Sequence, residues 1–288
     1  MSNQVENLRN ITQRLTDLPT LPTVVAKIAM LMQNPRTSAN EVGQAITNDQ
    51  SLTSKTLKLV NSAFYGFPGR ISTVTHAIVI LGFTTVKNIV LTASIFDAIG
   101  KKEGASQGFN IKAFWLHSIA TGATAKVLAE FLKSKKTEEA FIGGLLHDLG
   151  KVILSHFARD EFEAVLQYRD EHDCLLYQAE KAILEISHQE LGGWIADTWN
   201  LPKDLAAVIQ YHHTPNSAGI YKEITSIIHL ADILTRALGS GSGGDNRIPV
   251  VDDSVWENLK MGSLDLPKLL ARAEDEIEKA SIYLQEAM

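Results

Sequence analysis

Gly143-Gly-Leu-Leu-His-Asp-Leu-Gly-Lys151 sets a histidine and an aspartate side by side at the end of an apolar stretch. The imidazole of His147 can fill one position on a metal ion. The carboxylate of Asp148, with two oxygens, can bridge to a second ion beside it. Paired ions about 3.5–4 Å apart are a common means of hydrolysing phosphate esters. A lone His-Asp dipeptide arises easily by chance. Its meaning depends on the partners the flanking segments can bring to it.

Those segments read as helix almost throughout. Helical patterns cover 111–133, about 137–147, 159–172, 175–185, 188–199, 203–213 and 221–238. Nearer the N-terminus, Val24, Val25, Ile28, Leu31 and Met32 share one helical face, after Pro19 and Pro22 and before Asn34-Pro35. Ser38-Ala-Asn-Glu41 has the form of a capping box and opens a helix through about Thr47. Another is expected over Ser51–Ser62, ended by the turn residues of Phe64-Tyr-Gly-Phe-Pro-Gly69. Helices at 73–81 and 84–98 flank Gly82; Ala77-Ile-Val-Ile-Leu81 has a strand-like composition, but helical neighbours on both sides favour helix. Two amphipathic helices complete the tail from Ser254 to Ala287. The expected fold is all-α, a multi-helical bundle with an N-terminal helical subdomain. The polar stretch Lys101 to Gly108 is the expected subdomain boundary, and Gly239-Ser-Gly-Ser-Gly-Gly244 is expected to be a flexible loop.

Composition narrows the function classes. A chain of 288 residues can bury one large core or two modest ones, and 45% hydrophobic with 21% charged residues describes an ordinary globular protein. A net charge of −6 argues against an electrostatic grip on nucleic acid. The single cysteine, Cys174, permits no internal disulfide and no cysteine-based zinc site, so any metal must sit on nitrogen and oxygen ligands. The polar N-terminus shows no signal core, and no apolar stretch is expected to approach the ~18–20 residues needed to span a bilayer. A cytoplasmic protein without membrane contact is expected.

Candidate partners for His147-Asp148 lie on separate predicted helices: His117 upstream, then His188, the pair His212-His213, and Asp232. Ligands on different helices of a bundle can converge on one core site. Singly, each histidine is more often a hydrogen-bonded core or surface residue than a ligand, and Asp232 more often a solvated or capping carboxylate; five elements in order, each flanked by apolar helical residues, reverse that and favour a metal site. The mixed imidazole and carboxylate set suits iron or manganese, or zinc, better than magnesium or calcium. His76 and His156 read as packed or capping, and His172 as solvated, whereas His229 shares a face with Asp232 and could support it.

The ligand order and the string Leu-Leu-His-Asp-Leu-Gly-Lys151 resemble the HD superfamily of metal-dependent phosphohydrolases. Leu18-Pro-Thr-Leu-Pro22, Leu59-Val-Asn-Ser-Ala-Phe-Tyr-Gly66 and Ala77-Ile-Val-Ile-Leu-Gly82 are similar to signature segments of HDOD domains, HD-related output domains of bacterial signalling. The resemblance implies an N-terminal helical segment over 1–16, then an HDOD domain over 17–215. Within that domain a helical subdomain runs to about 108 and an HD-like core starts at about 109; a helical extension over 216–288 contributes Asp232. It further implies that His117, His147, Asp148 and Asp232 hold one ion. Asp148 would bridge to a second, held by His188 with His212 or His213. Lys151 matches the lysine of the family string and could reach a substrate phosphate, or be a solvated helix lysine.

HDOD domains are known as output or scaffold modules, and many have lost HD ligands; this chain keeps the set. The implied function is a signalling output domain that binds a protein partner or a small phosphorylated ligand. The alternative is an active phosphohydrolase or phosphodiesterase, in which water activated by metal attacks a nucleotide or other phosphoester. A diiron oxygenase is a third reading, since some HD-fold enzymes use the same ligand order. The HD-GYP phosphodiesterases follow their paired histidines with an acidic residue and a Gly-Tyr-Pro loop. Here Thr214-Pro-Asn-Ser-Ala-Gly219 follows instead, which sets cyclic-dinucleotide specificity in doubt.

Overall fold

The computed structural model describes Ile28, Leu31 and residues 36–62, 65, 67, 69–100, 106, 108–262 and 265–287. The N-terminal segment 1–16, the Leu18–Pro22 signature and most of the helix expected around Val24–Met32 lie outside them, though Ile28 and Leu31 are helical. Among the described residues the elements are all helical, with no strand. The chain splits into two compact units, whose described residues fall mainly within Pro19–Lys101 and Lys102–Ile277.

In the first unit, α1 (Ala39–Thr47) starts where the capping box is expected: Glu41 N–H donates to Ser38 Oγ (3.3 Å) and Ser38 N–H to Glu41 Oε2 (2.7 Å). Helix α2 (Gln50–Val60) is capped by Asp49, whose Oδ1 accepts from Leu52 N–H at 2.9 Å. Asn61, inside the Leu59–Gly66 signature, pins the following turn. Its amide donates to the carbonyls of Leu57 (2.7 Å) and Ile71 (2.8 Å), while its Oδ1 accepts from Ile71 N–H (2.8 Å). The apolar run Ala77–Leu81 is helical, within α3 (Val74–Gly100). Gly82 breaks that helix with φ 85° and ψ 164°, a left-handed-side conformation that costs glycine little.

Val74–Ile95 reaches a mean hydropathy of 1.8 over an 18-residue window, long and apolar enough to cross a membrane. This corrects the expectation that no stretch meets that test. The helix is interrupted at Gly82 and 61% of the window is buried, the behaviour of a core helix.

In the second unit, α4 (Ile111–Phe131) is capped by Asn110, whose Oδ1 accepts from Ala113 N–H at 3.0 Å. It is buried on nearly every face, as a central helix must be. Helix α5 (Thr137–Leu146) crosses it at glycines: a Cβ on Gly144 would stand 2.7 Å from Gly122 Cα. Then come α6 (Leu149–Phe157), α7 (Arg159–His172), α8 (Leu176–Leu184), α9 (His188–Thr198) and α10 (Lys203–Tyr211). A 3-10 helix (Pro215–Tyr221) leads into α11 (Lys222–Ala237), followed by α12 (Ser254–Asn258) and α13 (Leu266–Ala287). Val127, Leu128, Ile224, Ile227, Ile228, Val255 and Leu269 form a shared apolar core that fixes α4 against α11.

Two elements depart from the sequence reading. Residues 149–157 form α6, a separate helix between the expected spans at about 137–147 and 159–172. Asp148 steps out of helical geometry (φ −96°, ψ 16°), so α5 and α6 meet at the His-Asp pair instead of forming one long helix. Pro215–Tyr221 takes a 3-10 turn that an apolar period of 3.6 does not signal.

Candidate metal centre

The end of α5, the start of α6 and the faces of α4, α9, α10 and α11 bring every candidate ligand into one buried cluster. His117, His147, Asp148, His188, His212 and Asp232 are each 2% exposed or less, while His213 is half-buried. Asp148 is the hub. Its Oδ1 lies 3.1 Å from His188 Nε2 and 3.5 Å from His212 Nε2; its Oδ2 lies 3.2 Å from His147 Nε2. Across the cluster, Asp232 Oδ1 lies 2.9 Å from His117 Nε2 and 3.9 Å from His147 Nε2. Two groups offer ligand atoms mutually within 4.8 Å: Asp148 with His188, His212 and His213, and Asp148 with His117 and His147. Asp148 belongs to both.

The outer ring nitrogens fix the inner ones. His147 Nδ1 donates to Gly144 O (2.7 Å) and His212 Nδ1 to Ile209 O (3.0 Å), since a carbonyl can only accept. His188 Nδ1 meets the Glu180 carboxylate at 2.6 Å, and His188 N–H donates to the same oxygen at 2.7 Å. In the neutral rings the proton is then on Nδ1, and the Nε2 lone pairs face Asp148. His188 Nε2 and His212 Nε2 stand 3.2 Å apart, and His147 Nε2, Asp148 Oδ1 and His213 Nε2 are buried without a hydrogen-bond partner. Lone pairs and a carboxylate converging in a dry core repel one another. A bound cation turns the same arrangement into coordination. The donor set fits iron, manganese or zinc.

The electrostatics agree. Burial by itself would raise the Asp148 carboxyl, but His147, Lys151 and His188 together hold it well below the usual range. Burial likewise opposes ionisation of Asp232, and Arg236 and His117 outweigh it. Burial pushes His117 and His213 down, and takes His212 down to about 4. His188 is the exception, because Glu180 overcomes burial and raises it.

These shifts set a pH dependence for the metal-free protein. Between its folded value near 4 and an unfolded value of about 6.5, His212 takes up protons more readily in the unfolded chain. Its contribution is therefore complete above pH 6.5 and falls toward pH 4, by about 2 kcal/mol at pH 5. His117 and His213 act in the same direction. His188 opposes them: its contribution is full below about 6.5 and is lost as pH rises through its raised value. Urea unfolding of chelator-treated protein should show a lower midpoint at pH 5 than at pH 7, and equal midpoints would contradict this.

Glu180, Arg236, Asp245 and the Gly239–Gly244 loop belong to the site yet escape the sequence reading. Glu180 shares a face of α8 with the buried Leu176 and Leu184, four residues to either side; an acid on an apolar face was the available signal. Glu180→Gln is expected to weaken metal binding about 10–100-fold, the usual effect of losing a carboxylate behind a ligating histidine, read by competition against a chelator. Arg236, one turn after Asp232, donates from Nε to Asp232 Oδ1 (2.9 Å) and from Nη1 to Asp245 Oδ1 (2.8 Å). His229 donates from Nδ1 to His212 O (2.8 Å) and accepts from Asp252 N–H (2.9 Å), so it holds the His212 backbone.

Lys151 is not a solvated helix lysine. It is 1% exposed, and its Nζ donates to Asp148 Oδ2 (2.6 Å) and Gly243 O (2.8 Å). The glycine-serine loop, expected to be flexible, is tied down over the site. Ser242 N–H donates to Ala113 O (3.0 Å), Gly243 O accepts from Lys151, and Gly244 O accepts from Arg169. Glycine is required here for closeness as well as for turning: a Cβ on Gly241 (φ 76°) would lie 2.3 Å from His117 N and 2.5 Å from Ala113 O, both backbone atoms. His156 bonds within its own helix, and the exposed His172 stacks on Tyr168 at 3.8 Å; both are away from the cluster.

The HDOD domain family model matches residues 18–215. The chain belongs to the HDOD domain family. A Treponema pallidum (strain Nichols) protein, named as uncharacterized, is 25% identical to this HDOD chain over 231 residues, 80% of this chain and 44% of that protein. The chain therefore spans less than half the length of that curated relative. A crystal structure of a Geobacter sulfurreducens HDOD domain protein of unknown function is 25% identical, with a TM-score of 0.80, covering 98% of this chain and 99% of that one. A Marinobacter aquaeolei VT8 protein named for signal transduction shares the fold at 20% identity and a TM-score of 0.78, covering 99% of this chain and 65% of that one.

Proposed function

We propose that this HDOD chain is a cytoplasmic signalling module organised round a buried metal centre. Asp148, His188, His212 and His213 hold one ion; His117, His147, Asp148 and Asp232, the last supplied by the 216–288 extension, form the place for a second. The observation that carries this reading is the convergence on Asp148 of two donor groups, with His147 Nε2, Asp148 Oδ1 and His213 Nε2 buried and unpartnered. The metal is iron or manganese, with zinc the alternative. Its output is the binding of a protein partner or a small phosphorylated ligand. Signalling is favoured over turnover by the sealed site, in which the loop carbonyl of Gly243 takes the Lys151 ammonium.

A second reading, a phosphohydrolase, draws on the shared carboxylate and the adjacent lysine. Bound ions would supply Lewis acidity toward a phosphate oxygen and acidify a water. Lys151, released from Gly243 O, would orient the phosphate. Metal-loaded protein assayed on bis-p-nitrophenyl phosphate and on nucleotides separates the two. The signalling reading expects no turnover above that of Asp148→Ala. Turnover that disappears in Asp148→Ala would establish the enzyme instead.

A further inference from the structure

Each acid at one corner of the centre already has a cation of the protein's own. Lys151 Nζ lies 2.6 Å from Asp148 Oδ2, and Arg236 Nε lies 2.9 Å from Asp232 Oδ1, the oxygen that also meets His117. Both cations are enclosed: the Lys151 side chain is 1% exposed and that of Arg236 7%. At the other corner, Asp148 Oδ1 faces His188 and His212 with no lysine or arginine on it, and it lacks a hydrogen-bond partner, as does His213 Nε2. Lys151 bears on both corners through the shared Asp148 and acts on His188 and His213 as well, so the two corners differ in charge by Arg236, which pairs with Asp232.

We infer that the centre fills in order, with Arg236 acting as a built-in cation. One ion binds tightly at Asp148, His188, His212 and His213, and a second enters among His117, His147, Asp148 and Asp232 only as Arg236 gives up Asp232. Two unit charges a few ångströms apart in a protein interior repel strongly enough to separate the affinities by tenfold or more. Arg236 also holds Asp245 (2.8 Å) and the carbonyl of Arg247 (3.1 Å), just beyond the glycine loop. In this role Arg236 is a positioning residue that sets metal occupancy; it does not touch substrate.

The inference rests on the metal-holding reading, and zinc titration against a chromophoric chelator tests the two separately. Wild-type protein should take one tight equivalent and a second at least about tenfold weaker. Arg236→Gln should tighten the second by about tenfold or more and leave the first within about threefold, whereas Arg236→Lys, which keeps the charge, should leave the second weak. His213→Ala should weaken the first equivalent at least about tenfold, and His117→Ala should spare it; this pair tests the order even if Arg236→Gln does not fold. Two equivalents of equal affinity in the wild type, or a first equivalent lost with His117 and kept without His213, would overturn the ordered filling while preserving the metal reading. No zinc uptake by the wild type would overturn both.

Discussion

Asp148→Ala is expected to abolish metal binding at both corners and to be the most damaging single change at the centre. Its carboxylate is common to the two donor groups, so one is left with imidazoles alone and the other with Asp232 as its remaining carboxylate. The loss extends to the metal-free protein, because Lys151 stays buried with Gly243 O as its remaining partner in the site. Removing one member of a buried ion pair typically costs about 3–5 kcal/mol. Urea unfolding after chelator treatment should show a loss of that size. Asp148→Asn, which retains volume and an acceptor, should recover part of the stability but not the metal. An Asp148→Ala protein as stable as wild type would mean that the Lys151–Asp148 pair is not buried as described.

Gly150→Ala carries the second large effect. A Cβ at that position would overlap the His188 carbonyl oxygen and stand 2.8 Å from its carbon and 3.0 Å from its Cα. All three are backbone atoms at the first residue of α9, so no side-chain rotation relieves the clash. Helices α6 and α9 must move apart, at a cost of about 3 kcal/mol or more. The displacement moves His188, so affinity for the first ion should fall with stability. Gly262→Ala is the control, since a Cβ there meets nothing within 4 Å. It should change stability by no more than about 0.5 kcal/mol. Equal effects at the two positions would refute the close packing of α6 on α9.

The donors were legible because each sits in an apolar helical stretch, and helices packed round one core carry their buried polar residues to a common place. His117, His147, Asp148, His188, His212, His213 and Asp232 meet in that way. The supporting groups were less visible, each for its own reason. Glu180 and Arg236 look like ordinary surface charges until their helix faces are aligned with Leu184 and Asp232. The glycine-serine loop has the composition of a linker; its order comes from hydrogen bonds to Lys151, Ala113 and Arg169, which lie far from it in sequence. Helix α6 is not legible as a separate element because the chain leaves helical geometry at Asp148 alone, and no proline marks so short a break. The membrane-length apolar segment of α3 is hidden in the sequence because Gly82 divides it into two runs that read as separate helices.

The His-Asp cluster is expected to hold metal in the purified protein. Elemental analysis of protein purified from metal-supplemented cells, beside Asp148→Ala prepared identically, tests it most directly. At least one equivalent of iron, manganese or zinc is expected in the wild type and none above background in the variant. Wild-type protein without metal, or a variant that retains the full amount, would contradict it.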